Sequence, residues 1–161
     1  ANMIIKTLTL SEEAFAPYGS YMLLEDSDKD KASQISFYPE KVVGLFEFSN
    51  MPSVSVLAFS KRDFVIDVTE RHEHTEEVFG GFTTDTIFHV AAAGSTVPDP
   101  SQFKAFLLPK GGYVRVKRNV WHHVPFVAAG ERAVGVVILP PFTYTHDCIV
   151  VNLDEKIQIE V

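Results

Sequence analysis

The most constraining feature of this sequence is a succession of short runs rich in valine, isoleucine and phenylalanine, spaced about ten residues apart. Prolines, glycines and asparagines separate the runs, a pattern typical of antiparallel sandwiches and barrels. They predict strands at Met3–Leu10, Tyr21–Leu24, Ile35–Tyr38, Val42–Phe48, Val54–Phe59, Phe64–Val68, Val78–Phe82, Thr86–Ala91, Lys104–Leu108, Tyr113–Lys117, Trp121–Val127, Arg132–Leu139, Cys148–Val151 and Ile157–Val161. A closed barrel would remove the edge strands that such a chain must otherwise protect.

One segment near the N-terminus departs from the strand pattern. The hydroxyl of Ser11 followed by two acidic residues is a helix-start signal, and Pro17 and Gly19 end the helix within about two turns. We therefore expect an all-β fold with one short N-terminal helix, in a single domain over residues 3–161. Ala1-Asn2, which precedes the first methionine, is interpreted as a remnant of expression and left out of this expectation.

Composition excludes several classes of protein. The 161 residues are 46% hydrophobic and 12% aromatic, which indicates a globular chain rather than a disordered one. A net charge of −7 argues against nucleic acid as a partner, because affinity for phosphates comes from clustered lysine and arginine. No apolar run approaches the roughly 20 residues that span a bilayer, so no membrane is expected. A single cysteine, Cys148, fits the reducing cytoplasm.

The first polar patch is the segment Glu-Arg-His-Glu-His-Thr-Glu-Glu, which ends at Glu77. Side chains two apart share one face of a strand, so a regular strand directs His72, His74 and Glu76 to one side. A turn or bulge around Thr75 would bring Glu77 round instead. Imidazole and carboxylate ligands suit zinc, nickel, iron or manganese. The alternative is a solvated strand end where acids and bases neutralise one another.

The second patch is Arg-Asn-Val-Trp-His-His, residues 118–123. Adjacent histidines cannot both face inward in a regular strand, and His122 shares its parity with the valines that mark the buried side. His123 then pairs with a backbone group or reaches the rim of the site. The guanidinium of Arg118 matches the geometry of a carboxylate, which favours a small anionic substrate. Lys110 offers another cation, although a single lysine is more typical of a solvated surface.

These motifs together resemble known proteins. Three motifs follow one another in this chain: His-x-His…Glu, a Pro-x-Gly turn and Trp-His. Their order is similar to that of the cupin superfamily, whose fold is a double-stranded β-helix or jelly-roll barrel. A closer resemblance, over most of the chain, is to the ureidoglycolate lyase family of cupins, formerly called ureidoglycolate hydrolases. Its signatures correspond to Leu10–Gly19, Glu70–His72, Arg118–His123 and Asp147-Cys148.

The sequence also departs from that family. Glu73-His74 stands where other members tend to have a proline after the first histidine, and Glu77 stands where they have a glutamine. Phe79–Phe82 replaces a more usual apolar-proline pair. These changes make the patch more like a metal site than in a typical member.

The resemblance implies an enzyme of allantoin and purine breakdown, a carbon–nitrogen lyase that releases glyoxylate and urea from ureidoglycolate. It implies no organic cofactor, and a divalent metal ion (nickel, zinc, manganese or iron) with the ligands His72, His74, Glu77 and His122. The catalytic residues would be His123, Glu77 and Arg118, and the substrate-binding residues Arg71, Arg118 and Lys110. A homodimer is the default symmetric assembly.

Two other functions fit the same motifs. One is a metal-binding cupin that acts on another small hydroxy acid or sugar acid. The other is a cupin that binds a small molecule without catalysis, since a fold does not determine a function. Glyoxylate release from ureidoglycolate, with and without a chelator, separates these alternatives.

Overall fold

The structure is a computed structural model that describes residues 3–24, residue 43 and residues 51–161. The strands predicted at Ile35–Tyr38 and Val42–Phe48 lie outside the described residues. Where the structure describes the chain, it is built mainly of strands, so the prediction of an all-β fold is confirmed.

The described elements follow the order of the sequence. They are β1 (Met3–Thr9), α1 (Glu12–Phe15), β2 (Gly19–Met22), β3 (Ser53–Ser60), β4 (Val65–Arg71), β5 (Glu77–Gly80), β6 (Thr86–Ala91), a 3-10 turn (Pro100–Gln102), β7 (Lys104–Leu108), β8 (Tyr113–Val116), β9 (Trp121–His122), β10 (Phe126–Val127), β11 (Arg132–Leu139), α2 (Thr143–His146) and β12 (Ile149–Glu160).

The helices of the described residues are single turns. In α1 the Ser11 hydroxyl accepts a hydrogen bond from the backbone N–H of Ala14 at 3.1 Å, as expected of an N-cap. The sequence did not predict α2, which follows the Pro140-Pro141 pair. Neither helix has the length and apolar character needed to cross a membrane, and the same holds for every helix in the part of the chain that the structure describes.

Two strand predictions need correction at their boundaries. The segment Trp121–Val127 is broken into β9 and β10, because Pro125 lies within it and cannot donate a ladder hydrogen bond. The two pieces predicted at the C-terminus are one long strand, β12. Its pairing with β4 shifts register between Asn152 and Ile157. This irregularity interrupts the alternation of apolar and polar residues, so the sequence predicted two strands there.

Among the described residues, seven strands form a sheet in the order β10-β6-β7-β1-β12-β4-β9. A further pairing between β6 and β9 joins its ends, so this sheet closes into a barrel. It is mixed, since β1 runs parallel to both β7 and β12. A second sheet has the order β2-β8-β5-β11-β3 and packs against the barrel.

Two apolar cores result from this arrangement. One is built only from the barrel sheet and its loops, and fills the barrel around Trp121, Phe126 and Ile157. The other combines barrel strands with the second sheet, and packs Phe79 of β5 against Phe88 of β6. Because side chains alternate along a strand, neighbouring residues of β6 such as Ile87 and Phe88 contribute to different cores. The site described next lies on the face of the second core.

Candidate active site

Four polar side chains converge where the barrel meets the second sheet. Glu70 of β4 pairs in register with His122 of β9, so both side chains stand on one face. His72 directly follows β4, the chain then bends, and Glu77 begins β5 in the other sheet. All four residues are at most 6% exposed, and one ligand atom from each lies within 4.8 Å of the others. We refer to Glu70, His72, Glu77 and His122 as the four-residue cluster.

One carboxylate oxygen joins the two imidazoles. Glu77 Oε2 lies 2.8 Å from His72 Nε2 and 3.0 Å from His122 Nε2. The other nitrogen of each ring, Nδ1, lies near a backbone carbonyl oxygen: that of Asp147 at 2.7 Å for His72, and that of Val120 at 2.9 Å for His122. A carbonyl only accepts, so both Nδ1 atoms carry a proton. Both Nε2 atoms therefore face the cluster.

The contacts between these buried groups, rather than burial itself, determine their charges. Burial by itself would raise the pKa of Glu77, but attraction to His122 and hydrogen bonds from both imidazoles outweigh it and lower the pKa to about 2. Burial would likewise lower the pKa of His122, yet the Glu77 carboxylate raises it to about 9. Without a metal, the protein thus holds a buried imidazolium–carboxylate pair near neutral pH.

The cluster also fits a divalent metal ion. Two imidazole nitrogens and two carboxylates are a donor set that zinc, nickel, iron and manganese accept. The Nδ1–H groups donate to backbone carbonyls, which is how metal-ligating histidines are oriented in proteins. The residues present therefore can hold an ion, and the donor set does not select one metal among these.

Two further groups stand beside the cluster. The Cys148 thiol donates to Glu70 Oε2 at 3.4 Å; burial and then Glu70 raise the pKa of this thiol to about 12, so it stays protonated. The ring of Tyr144, on α2, contacts the ring of His72 edge-on at 6.1 Å. Although Tyr144 is 54% exposed, partial desolvation of its phenol and the carboxylates of Glu77 and Glu70 raise the pKa of the phenol, so it also keeps its proton.

His74 does not belong to the cluster, which corrects the expectation that it shares a face with His72. Its side chain is 72% exposed, and its ring lies 3.1 Å from the carboxylate of Asp147. The reason is that β4 ends at Arg71 and the chain bends at Glu73 and His74, so strand alternation no longer applies there. Both backbone N–H groups of this bend donate to the Asp147 carboxylate.

The structure brings Glu77 rather than Glu76 to the cluster. The sequence left this choice open, depending on whether the chain turned around Thr75, and the irregular segment before β5 is such a turn. Glu76 instead makes an ion pair with Arg115 at 2.6 Å.

Two predicted substrate-binding residues do not face the cluster. Arg71 alternates with Glu70 and His72, so it lies on the other face, paired with Glu73 at 2.9 Å. Lys110 is exposed, and its backbone N–H donates to Asp85 just before β6. The cluster lies beside the last residues of β6, so Lys110 is at the opposite end of the barrel.

The remaining two candidates lie near the cluster without joining it. Arg118 is exposed, in a turn whose next residue, Asn119, donates its backbone N–H to the carbonyl of His72 at 2.8 Å. His123 is half-buried and directly follows His122. Burial lowers the pKa of His123, and the Glu70 carboxylate partly opposes this.

Two residues of the site were missed by sequence reasoning. Glu70 carries a usable signal, since it precedes His72 by two positions and shares its parity at the end of a strand. Tyr144 carries none, because its approach to His72 depends on the turn α2 that follows the two prolines.

Comparison with known proteins identifies the family of this chain. The sequence model of the ureidoglycolate lyase family matches residues 2–160. A protein named ureidoglycolate lyase from Burkholderia cepacia is 26% identical to this chain, and the match covers 74% of this chain and 71% of the relative. A protein of the same name from Schizosaccharomyces pombe is also 26% identical, and the match covers 93% of this chain and 92% of the relative. The Escherichia coli K12 relative of that name is 27% identical, over 77% and 80%. The family match spans nearly the whole chain, and this protein belongs to the ureidoglycolate lyase family.

Proposed function

We propose that this protein cleaves ureidoglycolate to glyoxylate and urea at the four-residue cluster. The observation that carries the proposal is the match of residues 2–160 to the ureidoglycolate lyase family, together with relatives of that name. The cluster supports it, because it gathers buried acids and bases within reach of one another.

The reaction requires two proton movements and no water. The carbon–nitrogen bond of the carbinolamide breaks as its hydroxyl loses a proton and becomes the aldehyde carbonyl of glyoxylate. The departing nitrogen takes one proton and leaves as urea. A base is needed at the hydroxyl and an acid at the nitrogen.

His72, Glu77 and His122 are the residues that hold a divalent ion in this proposal, because Glu77 Oε2 already lies within 3.0 Å of both Nε2 atoms. Catalytic zinc sites typically use three protein ligands, so Glu70 would stay outside the ligand set. When bound there, the metal supplies Lewis acidity that lowers the pKa of a hydroxyl beside it.

Glu70 is the base in this proposal. It is buried in the cluster, its side chain accepts a hydrogen bond from the weakly donating Cys148 thiol, and it pairs in register with His122. His123 was the base expected from the sequence. We prefer Glu70 because strand alternation gives it the same face as His122 and gives His123 the opposite one.

Tyr144 is the acid in this proposal. Its ring lies against His72, and the nearby carboxylates keep its phenol protonated. A group that retains its proton across the working pH range can deliver it to the departing nitrogen and recover the proton taken by Glu70.

Arg118 is the partner of the substrate's carboxylate in this proposal. Its turn is tied to His72 through the backbone N–H of Asn119 at 2.8 Å, which keeps Arg118 next to the segment that carries His72. Arginine suits this role because it presents paired N–H donors to a carboxylate.

For the oligomeric state and the cellular location we keep the proposals made from the sequence, a homodimer and the cytoplasm. A homodimer is supported by apolar side chains that are exposed on β3, namely Val54 and Val56. The single cysteine supports the cytoplasm. Analytical ultracentrifugation of wild type and of Val56→Asp tests the dimer, since a charge in the interface shifts the population to monomer.

The activity is tested by incubating purified protein with ureidoglycolate and measuring glyoxylate and urea. Equal amounts of the two, with loss of activity in Glu77→Gln, support a lyase at this cluster. If a chelator removes the activity, nickel, zinc, manganese or iron is added back in turn. The ion that restores the activity identifies the metal. Binding without turnover would support the non-catalytic alternative, and ammonia in place of urea would contradict cleavage of this bond.

A further inference from the structure

A second polar feature lies on the other face of β4 from the four-residue cluster. The side chain of Arg71 lies at the end of the closed barrel, and its guanidinium carbon is 5.2 Å from the centre of the buried Trp121 ring. A cavity of about 430 Å³ opens beside it. Its lining consists of Arg71, Ala93, Gly94, Ser95, Thr96 and Asn119.

The guanidinium is held in a fixed orientation. Nη1 donates to Asn119 Oδ1 at 2.6 Å and pairs with Glu73 Oε1 at 2.9 Å. Asn119 has a positive φ of 64°, a conformation that asparagine tolerates better than most residues. The turn thus aims the amide of Asn119 at Arg71 and fixes which edge of the guanidinium remains available.

Two N–H donors at this end of the barrel have no acceptor among the described residues. They are Nε of Arg71 and Nε1 of Trp121, and both atoms are buried. Buried N–H groups in folded proteins are almost always hydrogen-bonded. The Trp121 side chain is fully buried beneath the guanidinium and does not line the cavity, so Nε of Arg71 is the donor of the two that a ligand can approach. An unpaired N–H donor beside a cavity favours a ligand that brings an acceptor oxygen.

Glu73 already shows which chemistry the guanidinium accepts. It is a carboxylate on the bend after β4, and its side chain is 42% exposed, so it can swing into solvent. The Arg71 side chain is only 12% exposed, so the arginine side of this pair is held in place. A ligand carboxylate on the other edge of the guanidinium accepts from Nε and Nη2 together, a pair of N–H bonds that Glu73 on Nη1 does not make.

We propose that Arg71, held over Trp121, and the loop of residues 93–96 form a second site, which binds a small hydroxycarboxylate. The carboxylate binds the Nε and Nη2 edge of the guanidinium, beside Glu73 on Nη1, and the ligand's hydroxyl groups bond to Ser95 and Thr96, which line the cavity. This site is separate from the cluster and does not depend on the proposed reaction. A ligand bound at this site lies next to the turn that carries Arg118.

The lone tryptophan gives a local probe for the test. Fluorescence of the purified full-length protein is titrated with lactate, with lactamide as the uncharged match and with chloride to equalise ionic strength. A saturable change with lactate alone is expected. Glu73→Gln strengthens binding by about 1.5- to 5-fold, because a negative charge beside the ligand carboxylate is gone. Arg71→Met weakens it by about 10-fold or more.

Two further variants make the outcome decisive. Arg71→Lys keeps the charge without the paired donors, so its affinity falls between those of wild type and Arg71→Met; far-UV circular dichroism checks the fold of each. Glu77→Gln keeps lactate binding intact, because Glu77 lies on the other face. A wild type without a saturable change, an equal response to lactamide, or undiminished binding in both Arg71 variants overturns the proposal. Loss of binding in Glu77→Gln overturns it too, by assigning the ligand to the cluster.

Discussion

The backbone carbonyl of Asp147 lies 2.7 Å from His72 Nδ1, while the carboxylate of the same residue accepts the backbone N–H groups of Glu73 and His74 at 2.9 and 3.0 Å. Asp147 therefore sets the tautomer of one imidazole of the cluster and also the bend that ends β4. These N–H bonds lower the pKa of its carboxyl group, although burial opposes them, so the carboxylate is charged at neutral pH.

Removal of this carboxylate is expected to loosen the site. Asp147→Ala keeps the carbonyl but frees the bend, so His72 loses its fixed position. Groups that orient a metal ligand are typically worth 10- to 100-fold in metal affinity or activity, and we expect a decrease of about that size. Metal affinity and glyoxylate release measure it. His74→Ala is the matched control, since it removes only an exposed ring from the same carboxylate. Equal losses in both variants would refute the role of the bend.

The two glutamates of the cluster are expected to behave differently. Glu70→Gln removes the proposed base, so kcat falls by about 10²- to 10⁴-fold while the metal content stays near that of wild type. Glu77→Gln removes the oxygen shared by both imidazoles, so metal content and activity fall together. Metal analysis of each purified variant, beside its kcat, makes the comparison. A Glu70→Gln protein of near-normal kcat would exclude Glu70 as the base.

The sequence predicts the strands well because their signal is local. Alternation of valine and phenylalanine with polar residues indicates a strand with one buried face, and the strands in the described part of the barrel agree with this pattern. The signal fails where the backbone leaves the strand, as at His74, which bends away from the site. Tyr144 was missed for another reason, because its position depends on the α2 turn that packs it beside His72, and a single sequence carries little information on that. Glu70 could have been found, because it shares its parity with His72 at the end of one strand.

The thiol of Cys148 is expected to be unreactive although it is only half-buried. Its pKa of about 12 leaves far less thiolate at pH 8 than a free cysteine has, and the thiolate is the nucleophile. In metal-free protein, alkylation by iodoacetamide should be about 10²- to 10³-fold slower than that of free cysteine. Mass spectrometry over time measures the rate, and labelling in urea shows that the thiol is intact. Native labelling at the rate of the free thiol would contradict the contact with Glu70.

The stability of the metal-free protein is expected to depend on pH through Glu77 and His122. The folded pKa of His122, about 9, exceeds the unfolded value of 6.5, so its contribution is full below pH 6.5 and is lost as the pH rises towards 9. The folded pKa of Glu77, about 2, lies below 4.5, so its contribution is lost as the pH falls below 4.5. The pair therefore stabilises the fold most between these two unfolded values.

Urea unfolding with a chelator present isolates this effect when wild type is compared with Glu77→Gln. The variant keeps the buried His89, whose pKa burial lowers, so the pH dependence of that residue cancels in the difference. The advantage of wild type in free energy of unfolding should be greatest between pH 4.5 and 6.5 and should shrink towards pH 9. A difference that is constant over this range would show that the two groups do not form an ion pair.

Tyr144 offers the sharpest test of the direction of proton transfer. Tyr144→Phe keeps the ring against His72 but removes the hydroxyl, so kcat should fall by about 10²-fold or more while KM and metal content change little. The matched control is His146→Ala, an exposed residue of the same helical turn, which should leave kcat unchanged. A substrate analogue with a better leaving group needs less help from an acid, so it should recover much of the lost rate in Tyr144→Phe and none in Glu70→Gln. Recovery in the glutamate variant instead would exchange the two roles and make Glu70 the acid.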